Sequence, residues 1–130
     1  MIVGIGIDII DIRRIEKLII KYGDRFIKKC FLQNEIQRSE NRRNDIQSYA
    51  KRYVAKEACA KALGTGLARG VYWKDIEVRN NKIGKPILIL HNKAAELLKQ
   101  ISPKNNIIEV SLSDEKNYAI SNVIIFNEYK

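Results

Sequence analysis

The sequence predicts a single α+β domain, and three observations carry that reading. Residues 52–63 (RYVAKEACAKAL) repeat small apolar side chains with helical period, and Gly64-Thr65-Gly66 then stops the helix. Segments at both ends of the chain are strand-like instead: residues 1–7 are β-branched and alternating, 108–112 alternate apolar with polar, and 118–126 follow a tight turn. Hydrophobic residues make up 45% of the 130 positions, enough for a modest packed core, and no repeat, low-complexity block or composition break divides them.

Taken in order, residues 1–7 read as a strand that ends at Asp8, with Gly4 and Gly6 where a second backbone can approach closely. Residues 9–22 read as a helix with Asp11 as a possible N-cap. Its apolar stripe is Ile12, Ile15, Leu18 and Ile19; Arg14, Lys17 and Lys21 form a basic stripe, with Arg13 and Arg25 beside it. Gly23-Asp24 breaks this helix, residues 26–31 form a short helical turn, and another helix starts near Gln33. Residues 39–45 (SENRRND) are the most polar stretch and read as a loop. In the helix of residues 52–63, Val54, Ala55, Ala58, Cys59, Ala62 and Leu63 share one arc. Tyr53, Glu57 and Lys61 take the opposite side, flanked by Arg52 and Lys56. Residues 76–78 and 86–89 read as paired strands, 93–101 as a helix stopped by Pro103, and the last two strands as a hairpin turning at 114–117.

The bulk numbers exclude several classes. No apolar run approaches the roughly 20 residues of a membrane helix. The first strand lacks the basic start and cleavage site of a signal peptide, so a cytoplasmic protein without a membrane role is expected. Cys30 and Cys59 lack metal-ligand spacing and are expected to be free thiols. His91, the only histidine, sits in a turn and supports no nucleophile-histidine arrangement. A net charge of +9 favours acidic partners: a nucleic acid, an acidic protein or a polyphosphate.

Chemistry concentrates at three residues. Glu57 and Lys61, four apart, stack on one helix face. That spacing also describes an ordinary solvated ion pair worth a few tenths of a kcal/mol. The second acidic position, Asp8, raises the functional reading, because a carboxylate at the end of a buried strand needs a partner or a metal. Brought together, Asp8 and Glu57 would offer two hard oxygen ligands to Mg²⁺, and Lys61 a point charge for a phosphate.

The runs GIGIDIIDIRRIEK and RYVAKEACAKALGTG resemble the holo-[acyl-carrier-protein] synthases, small bacterial 4′-phosphopantetheinyl transferases. That family's pattern is G-I-G-x-D, then F/Y-x-x-K-E-A-x-x-K followed by G-T-G. Here it falls on Gly4 to Asp8, Tyr53 to Lys61 and Gly64 to Gly66, with V-x-S-x-S…Y-A near the C-terminus. The resemblance implies one compact phosphopantetheinyl transferase domain over 1–130, its antiparallel sheet packed around the central helix. It implies transfer of 4′-phosphopantetheine from coenzyme A to a serine of apo-acyl carrier protein for fatty acid biosynthesis. Asp8, Glu57 and Lys61 would then be catalytic, with Asp8 and Glu57 on Mg²⁺. Arg52, Arg43, Lys61, Gly64 and Thr65 would hold coenzyme A, with Arg42 a neighbour of Arg43. Arg14 and Lys21 would dock the acidic carrier protein, and the small members imply a homotrimer with sites between subunits. Two departures stand out. Leu32 replaces the usual Thr of a capping box, and Asp114 replaces a histidine on the coenzyme side, where it would repel phosphate unless Lys116 or another cation compensates. A basic nucleic-acid module is the rival from another class, but it leaves Asp8, Glu57 and Lys61 unexplained and shows no basic-aromatic motif.

Overall fold

The computed structural model describes residues 1–41, 44–67 and 70–128. The β-branched segments from the two ends of the chain pair with each other. Strand β1 (Ile2–Asp11) runs antiparallel to β5 (Tyr118–Asn127), and β5 to β4 (Asn106–Glu115), so the sheet order is β1-β5-β4. A second antiparallel pair joins β2 (Ile76–Asn80) to β3 (Pro86–Leu90). The helices are α1 (Ile12–Tyr22), α2 (Asp24–Cys30), α3 (Gln33–Glu40), α4 (Asp45–Ala62) and α5 (Asn92–Ile101), with a 3-10 turn at Trp73–Asp75 before β2.

Helix α4 is the centre, because small residues let neighbours close on it from both sides. Ala55, Ala58, Cys59 and Ala62 pack with Ile76, Val78, Val110, Val123 and Ile125. Tyr49, Ala50, Tyr53 and Val54 pack with Ile12, Ile15, Phe26, Ile27 and Phe31. Both cysteines are free and buried.

Three boundaries differ from the sequence reading. Strand β1 continues through Asp11, and α1 begins at Ile12 rather than at residue 9. The reason is alternation: Ile9 is 61% exposed and Ile10 only 4%, and they lie opposite Ile120 and Ala119 of β5. Asp11 then caps α1, accepting from the Arg13 amide at 3.0 Å. Helix α3 reaches Glu40 and α4 starts at Asp45, so both helices run into the stretch expected to be a loop. The buried Ser39 and Ser48 hydroxyls, 2.8 Å apart, tie these two helices together. The final turn is also tighter, with only Lys116 and Asn117 between β4 and β5.

Only part of the expected polar arc of α4 is solvated: Lys61 is exposed and Glu57 half-buried. Tyr53 and Arg52 are buried, and Lys56 is fully so. The Lys56 ammonium donates to Glu35 Oε1 at 2.6 Å and to the carbonyls of Cys30 and Trp73 at 2.9 and 3.0 Å. Glu35 in turn accepts from the amides of Leu32 (2.9 Å, Oε1) and Val78 (3.0 Å, Oε2). Leucine at position 32 has no side-chain acceptor, so only the glutamate half of a capping box survives.

Candidate active site

The site begins with two missing side chains. A Cβ built on Gly4 would lie 2.0 Å from the Ala62 carbonyl oxygen, and one on Gly6 would lie 1.8 Å from that of Ala58. Both distances are impossible for any other residue, so G-I-G is what lets β1 lie directly on the α4 backbone. Side chains on a strand alternate, so Asp8 follows Gly6 on that inner face. It therefore arrives beside the turn of α4 that carries Glu57 and Lys61.

The three predicted residues meet. The Lys61 ammonium donates to Asp8 Oδ1 at 2.8 Å and to the Ile7 carbonyl at 3.1 Å. Glu57, one turn before Lys61 on α4, lies near enough to Asp8 and to the Tyr53 hydroxyl to feel both. Burial, reinforced by the hydrogen bond to Asp8 and its negative charge, pushes the Glu57 carboxyl up to about 7. The Tyr53 hydroxyl and the positive charge of Arg14 pull it the other way. The cluster is open on one side: the Lys61 side chain is 51% exposed and that of Asp8 14%.

The turn after α4 is set by left-handed glycines, Gly64 at φ 87° and Gly66 at φ 59°. Amides of Gly64, Thr65 and Gly66 return to the carbonyls of Lys61 and Ala60. Gly64 and Thr65 therefore sit one turn past Lys61, and the Thr65 hydroxyl donates to the Gly66 carbonyl at 2.7 Å.

Arg52 occupies a different place. It lines a cavity of about 600 Å³ together with Arg38, Ser48, Lys51, Asn80 and Pro86. Ser48 Oγ and Asn80 Oδ1 accept from its guanidinium at 2.8 and 3.3 Å. Asp8, Glu57 and Lys61 do not line this cavity. Arg52 and Glu57 lie five residues apart on one helix, about 7.5 Å along its axis. Arg42 and Arg43 lie outside the described residues. Asp114 is neutralised by Lys51, at 3.5 Å, rather than by Lys116. On α1, Arg14, Lys17 and Lys21 are exposed as predicted, with the Lys21 ammonium 5.2 Å above the Tyr22 ring. Arg13 is turned onto Asp11 instead, 2.7 Å away.

Some of this was out of reach of the sequence reading. Ser48 and Lys51 share α4 with Arg52, but Arg38 comes from α3 and Asn80 from β2, and only the Ser48–Arg52 spacing of four hints at the arrangement. The Tyr53–Glu57 contact is also a spacing of four, and was readable as such.

A pair of carboxylates with a lysine, next to a cationic cavity, defines an α+β domain equipped to hold an anion. The chain belongs to the 4′-phosphopantetheinyl transferase superfamily, whose model matches residues 4–123. It is 50% identical over 127 residues to the holo-[acyl-carrier-protein] synthase of Bartonella tribocorum, covering 96% of each chain. Among solved structures it resembles the holo-(acyl-carrier-protein) synthase of Bacillus anthracis in complex with CoA (3′,5′-ADP). The TM-score is 0.80 at 37% identity, over 98% of this chain and 99% of that one. The holo-[acyl-carrier-protein] synthase of Neisseria meningitidis superposes with a TM-score of 0.86 at 30% identity, over 98% of this chain and 100% of that one.

Proposed function

We propose that this chain transfers the 4′-phosphopantetheine group of coenzyme A to a serine hydroxyl of apo-acyl carrier protein, releasing adenosine 3′,5′-bisphosphate. The observation that carries this is the meeting of Asp8, Glu57 and Lys61 across a strand-helix contact that glycines alone permit. Near-full-length similarity to holo-[acyl-carrier-protein] synthases supports the same reading.

The donor set fits Mg²⁺. Two carboxylates and the Ile7 carbonyl are hard oxygen donors, and a cation, the Lys61 ammonium, already lies among them. Asp8 and Glu57 would hold the ion and leave its other positions for phosphate oxygens and water. When bound, such an ion draws negative charge from a diphosphate and so eases displacement at phosphorus. Lys61, released from Asp8, grips the phosphates and steadies the leaving bisphosphate. The proton that the serine hydroxyl loses has two candidate acceptors in the cluster, Glu57 and Lys61. Arg52, with Arg43, Gly64 and Thr65, holds the nucleotide portion of coenzyme A. Arg14 and Lys21 receive the acidic carrier protein beside the catalytic cluster, where the charge of Arg14 is felt at Glu57.

The chain also self-associates in this reading, as a homotrimer with sites between subunits. Support comes from β1, an edge strand that presents Ile5, Ile7 and Ile9 at 59%, 56% and 61% exposure. The setting would be cytoplasmic fatty acid biosynthesis. Among the described residues no helix is long and apolar enough to cross a membrane.

The test is mass spectrometry of apo-acyl carrier protein incubated with coenzyme A, Mg²⁺ and this protein. The carrier should gain one phosphopantetheine, and Asp8→Ala or Glu57→Ala should leave it unmodified. An unmodified carrier with the wild-type chain rejects the enzyme reading.

A further inference from the structure

One polar group behind the catalytic cluster has no partner. Ser121 of β5 is 1% exposed, and its hydroxyl is buried without a hydrogen bond. A buried orphan hydroxyl is costly, and native structures tend to keep one only where it has a use. The position of Ser121 suggests that use. In the antiparallel ladder it lies directly opposite Asp8. On its other side it lies opposite Leu112, and the next residues of β5 on the same face are Ala119 and Val123. Asp114, one step diagonally away on β4, is engaged by Lys51. Asp8 is thus the one ladder partner of Ser121 that offers an acceptor. Side chains directly opposite in such a ladder stand about 5 Å apart at Cβ, within reach of a carboxylate-hydroxyl bond after a rotamer change.

We propose that Ser121 is a positioning residue for Asp8, donating to its carboxylate when Lys61 does not. The Lys61 ammonium, itself anchored on the Ile7 carbonyl, donates to one Asp8 oxygen and fixes it. Once Lys61 turns to a phosphate, Asp8 loses that anchor. The Ser121 hydroxyl then turns to the carboxylate from behind and holds it toward Glu57. The inference rests on the proposed metal role of Asp8 and Glu57.

The experiment measures Mn²⁺ binding to the full chain by electron paramagnetic resonance, with adenosine 3′,5′-bisphosphate present, alongside thermal melting without metal. Hydrogen bonds to charged groups are strong enough that Ser121→Ala should weaken Mn²⁺ binding about tenfold. Its metal-free melting temperature should stay level or rise, because a buried orphan hydroxyl has gone. Ser121→Cys, with a weaker donor of similar shape, should fall between the two. Asp8→Ala should abolish Mn²⁺ binding. Unchanged Mn²⁺ affinity in Ser121→Ala, while Asp8→Ala abolishes binding, would make Ser121 a plain core residue and overturn the assignment alone. Mn²⁺ binding that survives Asp8→Ala overturns the metal reading and the assignment with it.

Discussion

Three lysines of helix α4 are each paired with a carboxylate, and two of these pairs, five residues apart, are built in opposite ways. Lys56–Glu35 is closed: both side chains are 0% exposed, at 2.6 Å, and the ammonium has two carbonyl acceptors besides. Lys61–Asp8 is open, with Lys61 half exposed and a second carboxylate, Glu57, crowding the same oxygens. In the first pair every donor of the ammonium is used, so nothing more can bind. In the second, the lysine holds an oxygen that another cation can claim. The comparison teaches that an ion pair's burial and saturation, rather than its distance, separate a pair that is closed to other partners from one that can exchange them.

The sharpest way to break that contrast is to remove each lysine in turn. Lys56→Met strands the Glu35 carboxylate in the core among groups built for a cation, and should cost about 3–5 kcal/mol of stability. Lys61→Met removes a solvent-screened pair and should cost less than about 1 kcal/mol. Urea unfolding of both variants checks this, with the carrier-modification assay run beside it. Activity should collapse in Lys61→Met despite its normal stability. Equal destabilisation by both substitutions would erase the distinction.

A pH titration sharpens the comparison further, because only the open pair sits beside a group that titrates near neutrality. Folding raises the Glu57 carboxyl from the ordinary 4.5 to about 7, mainly through burial. Between those values the folded chain binds a proton that the unfolded chain has released. The stabilisation from this group is therefore complete below about pH 4.5 and is lost as pH rises through about 7. Glu57→Gln should flatten that part of the metal-free stability profile. On the proposed metal role of Glu57, Mg²⁺ would displace the same proton, so the rise in melting temperature on adding Mg²⁺ should grow between about pH 5.5 and 8 in the wild type and vanish in the variant. A metal-induced shift independent of pH would detach Glu57 from the ion.

The open pair was legible in the sequence and the closed one was not, for a physical reason. Asp8, Glu57 and Lys61 stand at positions fixed by local geometry: two after Gly6 on one strand face, and four apart on one helix face. The glycines that bring strand to helix are themselves visible letters. Lys56 gives no such sign. A lysine in a helix is nearly always solvated, and its burial depends on Glu35, Cys30 and Trp73 arriving from three other elements. The same holds for the boundaries. Ile9 and Ile10 read equally well as the first turn of a helix; their pairing with β5 decides for strand. The helical pattern of Ile46, Tyr49 and Ala50 already precedes residue 52, yet the polar run 39–45 has the composition of a loop.

The smallest expected effect concerns a third pair on α4, Lys51–Asp114, intermediate between the other two. Its side chains are 37% and 31% exposed at 3.5 Å, so the pair should contribute less than about 1 kcal/mol. Lys51 lines the cationic cavity with Arg38 and Arg52, and Asp114 offsets one of those three charges. Asp114→Asn should therefore leave urea unfolding almost unchanged, while adenosine 3′,5′-bisphosphate binds a few-fold tighter at low salt. Because the gain is electrostatic at a partly exposed site, it should fade as ionic strength approaches about 0.5 M. Isothermal titration at two salt concentrations measures both. Weaker binding in Asp114→Asn would instead mean that the carboxylate orients Lys51 toward the ligand, and that this pair is held for geometry as the closed one is.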